Sequence, residues 1–174
     1  MRLFLAVDLD PFVKQALGDV RDHLAHAASA GRFTHEDNFH ITLAFLGDVP
    51  PSRIPAIRKS MDSVHCSPFS ITLRDLGCFH RQGGDIWWMG LQASPELLSL
   101  ADQLSNALQQ QGFLLEDRHF SPHVTLGRQV RLPKDFRGFI PNVLHQTVSE
   151  FCLMQSERIN GTLTYTPVLK KTLK

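Results

Sequence analysis

Two stretches of this sequence carry one four-residue pattern: His40-Ile41-Thr42-Leu43 and His123-Val124-Thr125-Leu126. In a β-strand, residues two apart share a face. His40 and Thr42 therefore project together, as do His123 and Thr125, while Ile41, Leu43, Val124 and Leu126 turn to the opposite face for burial. Imidazole titrates near neutral pH, so one of a facing pair can take a proton while the other gives one. Threonine hydroxyls can hydrogen-bond the non-bridging oxygens of a phosphate as charge builds up on them. Arg128, five residues after His123, adds a fixed cation with a forked donor set. Such a constellation suits phosphodiester hydrolysis without a metal: one imidazole activates water, the other protonates the leaving oxygen.

A single His-x-Thr triplet is a weak pattern, and a strand histidine is more often packed than reactive. Its weight here comes from repetition in matched surroundings. Residues 2–9 read as a buried strand, and Asp10-Pro11 as a cap with a first-turn proline. Val13, Leu17, Val20 and Leu24 then follow at helical spacing to about His26, and a polar loop leads to the first motif strand. The same order returns: a strand over 85–92 after the Gly83-Gly84 turn, the Ser94-Pro95 pair, a stripe of Leu97, Ala101, Leu104 and Leu108, a stop at Gly112, and a polar loop to the second motif. Pro11 precedes His40 by 29 positions, and Pro95 precedes His123 by 28. The repeat is too long for a solenoid and occurs only twice.

These elements predict an α+β fold of two pseudo-symmetric βαβ-containing lobes, with antiparallel or mixed sheets facing a central cleft. One domain is expected over residues 1–174, with its motifs at 40–43 and 123–126. Ser52 is expected to cap a helix carrying Ile54, Ile57, Met61 and Val64, and further strands are expected over 69–76, 148–154 and 162–168. Residues 131–142 read as a long loop that could shape a pocket mouth.

Composition narrows the partner. Lys and Arg number 18 against 17 Asp and Glu, a balance too even for coating long nucleic acid, though a local basic spot suffices for a polynucleotide end or a small phosphate ester. Cys66, Cys78 and Cys152 are odd in number and contain no CxxC pair, which argues against a disulfide framework and for small buried hydrophobes in a reducing compartment. The apolar run Leu3 to Val7 is too short for a signal segment and no stretch reaches membrane-spanning length, so a cytoplasmic protein is expected. Metal chemistry is the main rival reading. His119 and His123 stand four apart, but Pro122 between them opposes a helical pair, and His35, His65, His80 and His145 lack partner spacing. HExxH, glycine-rich phosphate loops and Gly-x-Ser-x-Gly elbows are missing from the sequence.

With both motifs in view, the chain resembles the two-histidine HxTx phosphoesterases, and within them the bacterial RNA 2′,3′-cyclic phosphodiesterases, also called 2′-5′ RNA ligases. The resemblance runs through "RLFLAVDL", "EDNFHITLAFLGDV", "FSPHVTLGR" and the closing "YTPV". It implies metal-independent opening of a 2′,3′-cyclic phosphate to a 2′-phosphate, with no cofactor. By position it implies His40 as proton donor to the leaving 3′-oxygen and His123 as the base that activates water. It further implies Thr42, Thr125 and Arg128 as phosphate ligands. Run in reverse, the same site would join RNA ends through a 2′-5′ linkage. The expected partners are RNA ends bearing a cyclic phosphate, or small cyclic-phosphate nucleotides, with no membrane and a monomeric protein. The alternative from another class is a non-catalytic receptor for RNA-end or nucleotide phosphate. It has no need of two titratable groups.

Overall fold

Both expected strand–helix–strand units form, and the same local chemistry starts each helix. In a computed structural model describing residues 1–116 and 119–174, β1 (Arg2–Asp8) runs into α1 (Pro11–Ala27), followed by β2 (Ala30–Phe33) and the first motif strand, β3 (His40–Asp48). After α2 (Ile54–Asp62) and β4 (Phe69–Phe79), the second unit comprises β5 (Asp85–Leu91), α3 (Pro95–Gln110) and the second motif strand, β6 (His123–Arg131). Strands β7 (Leu144–Val148), β8 (Glu150–Ile159) and β9 (Thr162–Thr172) complete the chain. Proline opens α1 and α3, where its missing N–H costs nothing. Ser94 caps α3 as expected, its hydroxyl accepting from the Leu97 N–H at 3.2 Å. Asp10 stands before α1 in extended backbone without a side-chain cap bond, and its own N–H donates instead to Oε1 of Gln146. Ser52 is not a cap: it lies in a 3-10 turn, Pro51–Arg53, and α2 begins without a side-chain cap bond.

Every strand pair is antiparallel. One sheet has the order β3-β1-β8-β9, the other β2-β6-β5-β4-β7. Each motif strand thus pairs with the strand that opens its own unit, and the two motif strands touch across the cleft. The helices cross over: α1 lies against β6 and β7 of the five-stranded sheet, while α3 lies against β3 of the four-stranded one. Their apolar stripes merge into one buried core that takes in Ile41, Leu43, Val124 and Leu126, the motif residues expected to face away from the chemistry. Burying that continuous apolar area is the main stabilising term. Among the described residues no helix is long and apolar enough to cross a membrane.

Two strands escape the sequence reading. β2 is four largely exposed residues without alternation, and β7 is a five-residue edge strand whose central inward residue is the polar Gln146. The loop after β6 does line pockets, two smaller ones beside α1 and Trp87, but not the cleft between the motifs. Phe136 packs edge-on against Trp87 (5.8 Å between centroids), and Phe139 lies over His23 at 4.0 Å, on the helix side of the sheet. Nor are all three cysteines buried: all are free, but only Cys152 is inside, because Cys66 and Cys78 fall at strand and loop margins.

One close approach supports the cleft wall. Gly77 sits opposite Trp88 in the β4–β5 pair, and a Cβ there would lie 2.2 Å from the indole ring. Trp88 packs on Phe79 at 5.3 Å and on His123 at 6.1 Å. Gly77→Ala is expected to displace that indole and to destabilise the protein by about 1–3 kcal/mol, read as a lower urea midpoint.

Candidate active site

The two motif histidines are held by the same device. Nδ1 of His40 donates to the carbonyl of Asn38 at 2.7 Å, and Nδ1 of His123 donates to the carbonyl of Ser121 at 2.7 Å. A carbonyl can only accept, so in both rings the proton sits on Nδ1 and Nε2 is left to work. Nε2 of His40 is 3.0 Å from the Thr42 hydroxyl, which donates to it while the ring is neutral. Each ring is also wedged between aromatics. Phe4 and Tyr165 stand 4.9 and 5.1 Å from His40, and Phe79 and Trp88 stand 5.3 and 6.1 Å from His123.

Arg128 poses a geometric difficulty. Five residues after His123, an odd separation, it should face away from the imidazole in a regular strand. The register shows why it does not. Thr125 pairs with Trp88 and Gly127 with Trp87, so two steps along β6 answer one step along β5, and Leu126 is the extra residue of a β-bulge. Leu126 and Gly127 are consequently both buried, and Arg128 turns back to the cleft.

His40, Thr42, His123, Thr125 and Arg128 all line one cavity of about 790 Å³. Arg2, Asn38, Phe45, Arg158 and Tyr165 share that wall. Of these, all but Arg158 fall in segments that carry the family resemblance, but the motifs single out none as a site residue; Arg2 and Arg158 reach the cleft from β1 and β8, and Asn38 and Phe45 flank the first motif. A second cavity of about 750 Å³ opens on the α3 side. It shares Thr42 and His123 with the first but excludes His40, and is walled by Phe79, Arg81, Ser105 and Phe120.

Burial dominates the electrostatics. Desolvation pushes His40 down from 6.5 to about 4, against the opposing pull of the Asn38 carbonyl and the Asp8 carboxylate; Lys14 and Arg128 add to the lowering. Desolvation also lowers His123, with Arg128 contributing the same way. Both rings are therefore neutral in the free protein at pH 7. Tyr165 is raised by desolvation, while the charges of Arg128 and Arg2 work against that rise.

Asn38 serves His40 twice. Besides lending its carbonyl to the ring, its buried side chain donates from Nδ2 to the Leu163 carbonyl at 2.8 Å and accepts at Oδ1 from the Tyr165 N–H at 3.3 Å. It thereby ties β9, and the Tyr165 ring, to the first motif. Away from the cleft, Cys78, His80 and Asp85 bring three potential ligand atoms within 4.8 Å at the β4–β5 turn. This gives His80 a partner that sequence spacing did not suggest: Nδ1 lies 3.2 Å from the Asp85 carboxylate, and its side chain is 85% exposed. That hydrogen bond is sufficient to account for the cluster.

Comparisons with known proteins place the chain in a family. The family described as LigT like Phosphoesterase matches residues 7–88. An RNA 2′,3′-cyclic phosphodiesterase of Escherichia coli is 31% identical over 99% of this chain and 96% of its own length. One from Thermotoga maritima is 30% identical over 99% and 93%. A crystal structure of E. coli LigT complexed with 3′-AMP superposes with a TM-score of 0.87 at 30% identity, covering 99% of this chain and 97% of that one.

Asn38→Ala is expected to leave the Leu163 carbonyl and the Tyr165 N–H without partners. Because both groups are only partly buried, the cost should be about 0.5–1.5 kcal/mol for each lost bond, read by urea denaturation with tyrosine fluorescence reporting the loosened ring.

Proposed function

The chain belongs to the LigT-like phosphoesterases, the family of the RNA 2′,3′-cyclic phosphodiesterases, and on that premise we propose that it opens a 2′,3′-cyclic phosphate at an RNA end to a 2′-phosphomonoester. The carrying observation is that two Nδ1-tethered histidines, each with a threonine two residues on, line one cavity with Arg128. In this reading Nε2 of His123 takes a proton from water, whose oxygen attacks phosphorus in line with the 3′-oxygen. The P–O3′ bond breaks, and imidazolium His40 gives its Nε2 proton to the departing oxygen. Thr42, Thr125 and Arg128 hold the non-bridging oxygens, where negative charge grows in the transition state. Once His40 is charged its Nε2–H donates to Thr42, freeing that hydroxyl's proton for the phosphate.

The neutrality of His40 in the free protein bears on its role as donor. Substrate brings a negative charge between the rings, and an anion beside an imidazole favours its charged form. Binding of the phosphate thus supplies what burial withholds. The second cavity favours one extension of this reading. Because it opens at His123 and not at His40, it admits to the base a nucleophile larger than water. A 5′-hydroxyl there, attacking the same phosphorus with loss of the 3′-oxygen, would form a 2′-5′ phosphodiester. A receptor without turnover would use the same cavity, and the assays below separate the two.

His40→Ala and His123→Ala are each expected to lower kcat on a cyclic-phosphate-ended oligonucleotide by about 10²–10⁴-fold, with EDTA without effect. Activity retained in both variants would overturn the reading, and binding without turnover in the wild type would favour the receptor. Because kcat/KM reports the groups of the free protein, it requires His40 charged and His123 neutral. With His40 at about 4 and His123 below 6.5, the expected profile is a bell whose maximum lies below pH 6.5. The kcat profile should lie at higher pH, since bound phosphate raises both histidines.

A further inference from the structure

The two motif strands match well beyond their shared letters. β3 and β6 have nine residues each, and in both the fourth and fifth are buried together, breaking the alternation at the same place. The cause is also the same. Thr42 pairs with Ala6 and Ala44 with Leu5, so Leu43 is the extra residue of a bulge, as Leu126 is in β6. The bulge aims the residue five after each histidine into the cleft. In β6 that residue is Arg128; in β3 it is Phe45, which is 39% exposed and lines the same cavity.

The first lobe therefore has an aromatic ring where the second has its guanidinium. It does not lack a cation, however. Arg2, entering from β1, places its guanidinium carbon 5.0 Å from the centre of the Phe45 ring, within that cavity. A guanidinium stacked on an aromatic face keeps its planar donor fork extended and loses little freedom on binding. Among the described residues the Arg2 side chain has no ion pair and no hydrogen bond. The other arginine at this end, Arg158, already donates from Nη1 to the Gly161 carbonyl at 2.8 Å. The Tyr165 hydroxyl feels the charges of both Arg128 and Arg2, so the two cations approach the same ring.

We propose that Arg2, carried on Phe45, is a second anion-binding position of the cleft, and that it takes the 5′-phosphate of the nucleotide whose cyclic phosphate lies between the histidines. The assignment rests on the cyclic phosphodiesterase reading and extends it to what lies beyond the reacting group. Arg128 shares a strand with His123 and Thr125, which commits it to the reacting phosphate. Arg2 lines the same cavity, opposite Ser156 in the sheet and against Phe45, without a place on either motif's histidine–threonine face. The terminal nucleotide of an RNA has a phosphate on both sides of its nucleoside, whereas a nucleoside 2′,3′-cyclic phosphate has only the reacting one. Two cations on the wall of one cavity, one committed to the reacting phosphate, would thus let the protein distinguish a chain end from a nucleoside.

The test compares kcat/KM for adenosine 2′,3′-cyclic phosphate with that for the same compound carrying a 5′-phosphate. Wild-type protein is expected to favour the 5′-phosphorylated substrate, and Arg2→Gln to reduce that preference about tenfold, the scale of one charge-assisted bond at a partly exposed site. Arg2→Lys should retain part of it, and rising salt should erode the preference in wild type more than in Arg2→Gln. An unchanged ratio in Arg2→Gln, including equal loss on both substrates from a mere packing role, overturns the assignment to Arg2 while leaving the catalytic reading intact. A wild type that turns over neither compound, nor a cyclic-phosphate-ended oligonucleotide, overturns the catalytic reading and this proposal with it.

Discussion

A histidine can work through either ring nitrogen, and this fold settles the choice with one main-chain bond repeated twice. In each motif the carbonyl two residues upstream accepts from Nδ1. A strand would otherwise leave the ring two tautomers and a broad range of χ2. With Nδ1 engaged, the aromatics on either side only have to keep the ring from tilting, and the threonine two residues on is automatically beside Nε2 on the first strand. The sheets, the crossed helices and the tether through Asn38 all serve to hold those carbonyl–imidazole pairs opposite each other.

The pseudo-symmetry of the frame does not extend to its electrostatics. His40 has Asp8 and Lys14 nearby, themselves paired at 2.7 Å, and lies deeper; His123 has Arg128 on its own strand. Two nearly equivalent positions thus differ in how readily each ring accepts a proton. Burial opposes the charge that His40 would carry as a proton donor, so an anion bound between the rings has to offset it. The duplicated strand supplies matched geometry, and the unlike neighbours make the two rings electrostatically distinct.

What the sequence discloses here follows from how far each feature reaches along the chain. Helices α1 and α3, the burial of Ile41 and Val124, and the shared face of each histidine and threonine depend on spacing within a few residues, and all are legible. The bulges are not. Counting by twos from His123 sends Arg128 to the wrong face, and only the pairing of β6 with β5 restores it. Arg2, Asn38 and Phe45 share the cleft through β1, β3 and β9, whose mutual register is set across most of the chain. Ser52 fails as a cap for a local reason: the prolines on either side favour a 3-10 turn before α2 begins. The 131–142 loop carries aromatic residues whose packing against α1 and Trp87 removes it from the cleft.

The strand order β3-β1-β8-β9 has a consequence for how the chain is made. β1 is synthesised before both motifs, yet one of its two neighbours, β8, follows them. Until residues 150–159 are available, one edge of β1 presents unpaired N–H and C=O groups flanked by Leu3, Leu5 and Val7, an apolar template for stray strands. Closing that edge joins segments far apart in sequence, a class of contact that forms slowly. During synthesis, therefore, this protein passes through an interval in which both histidine motifs exist but the sheet meant to hold the first is half built, and that interval is when a chaperone would matter most.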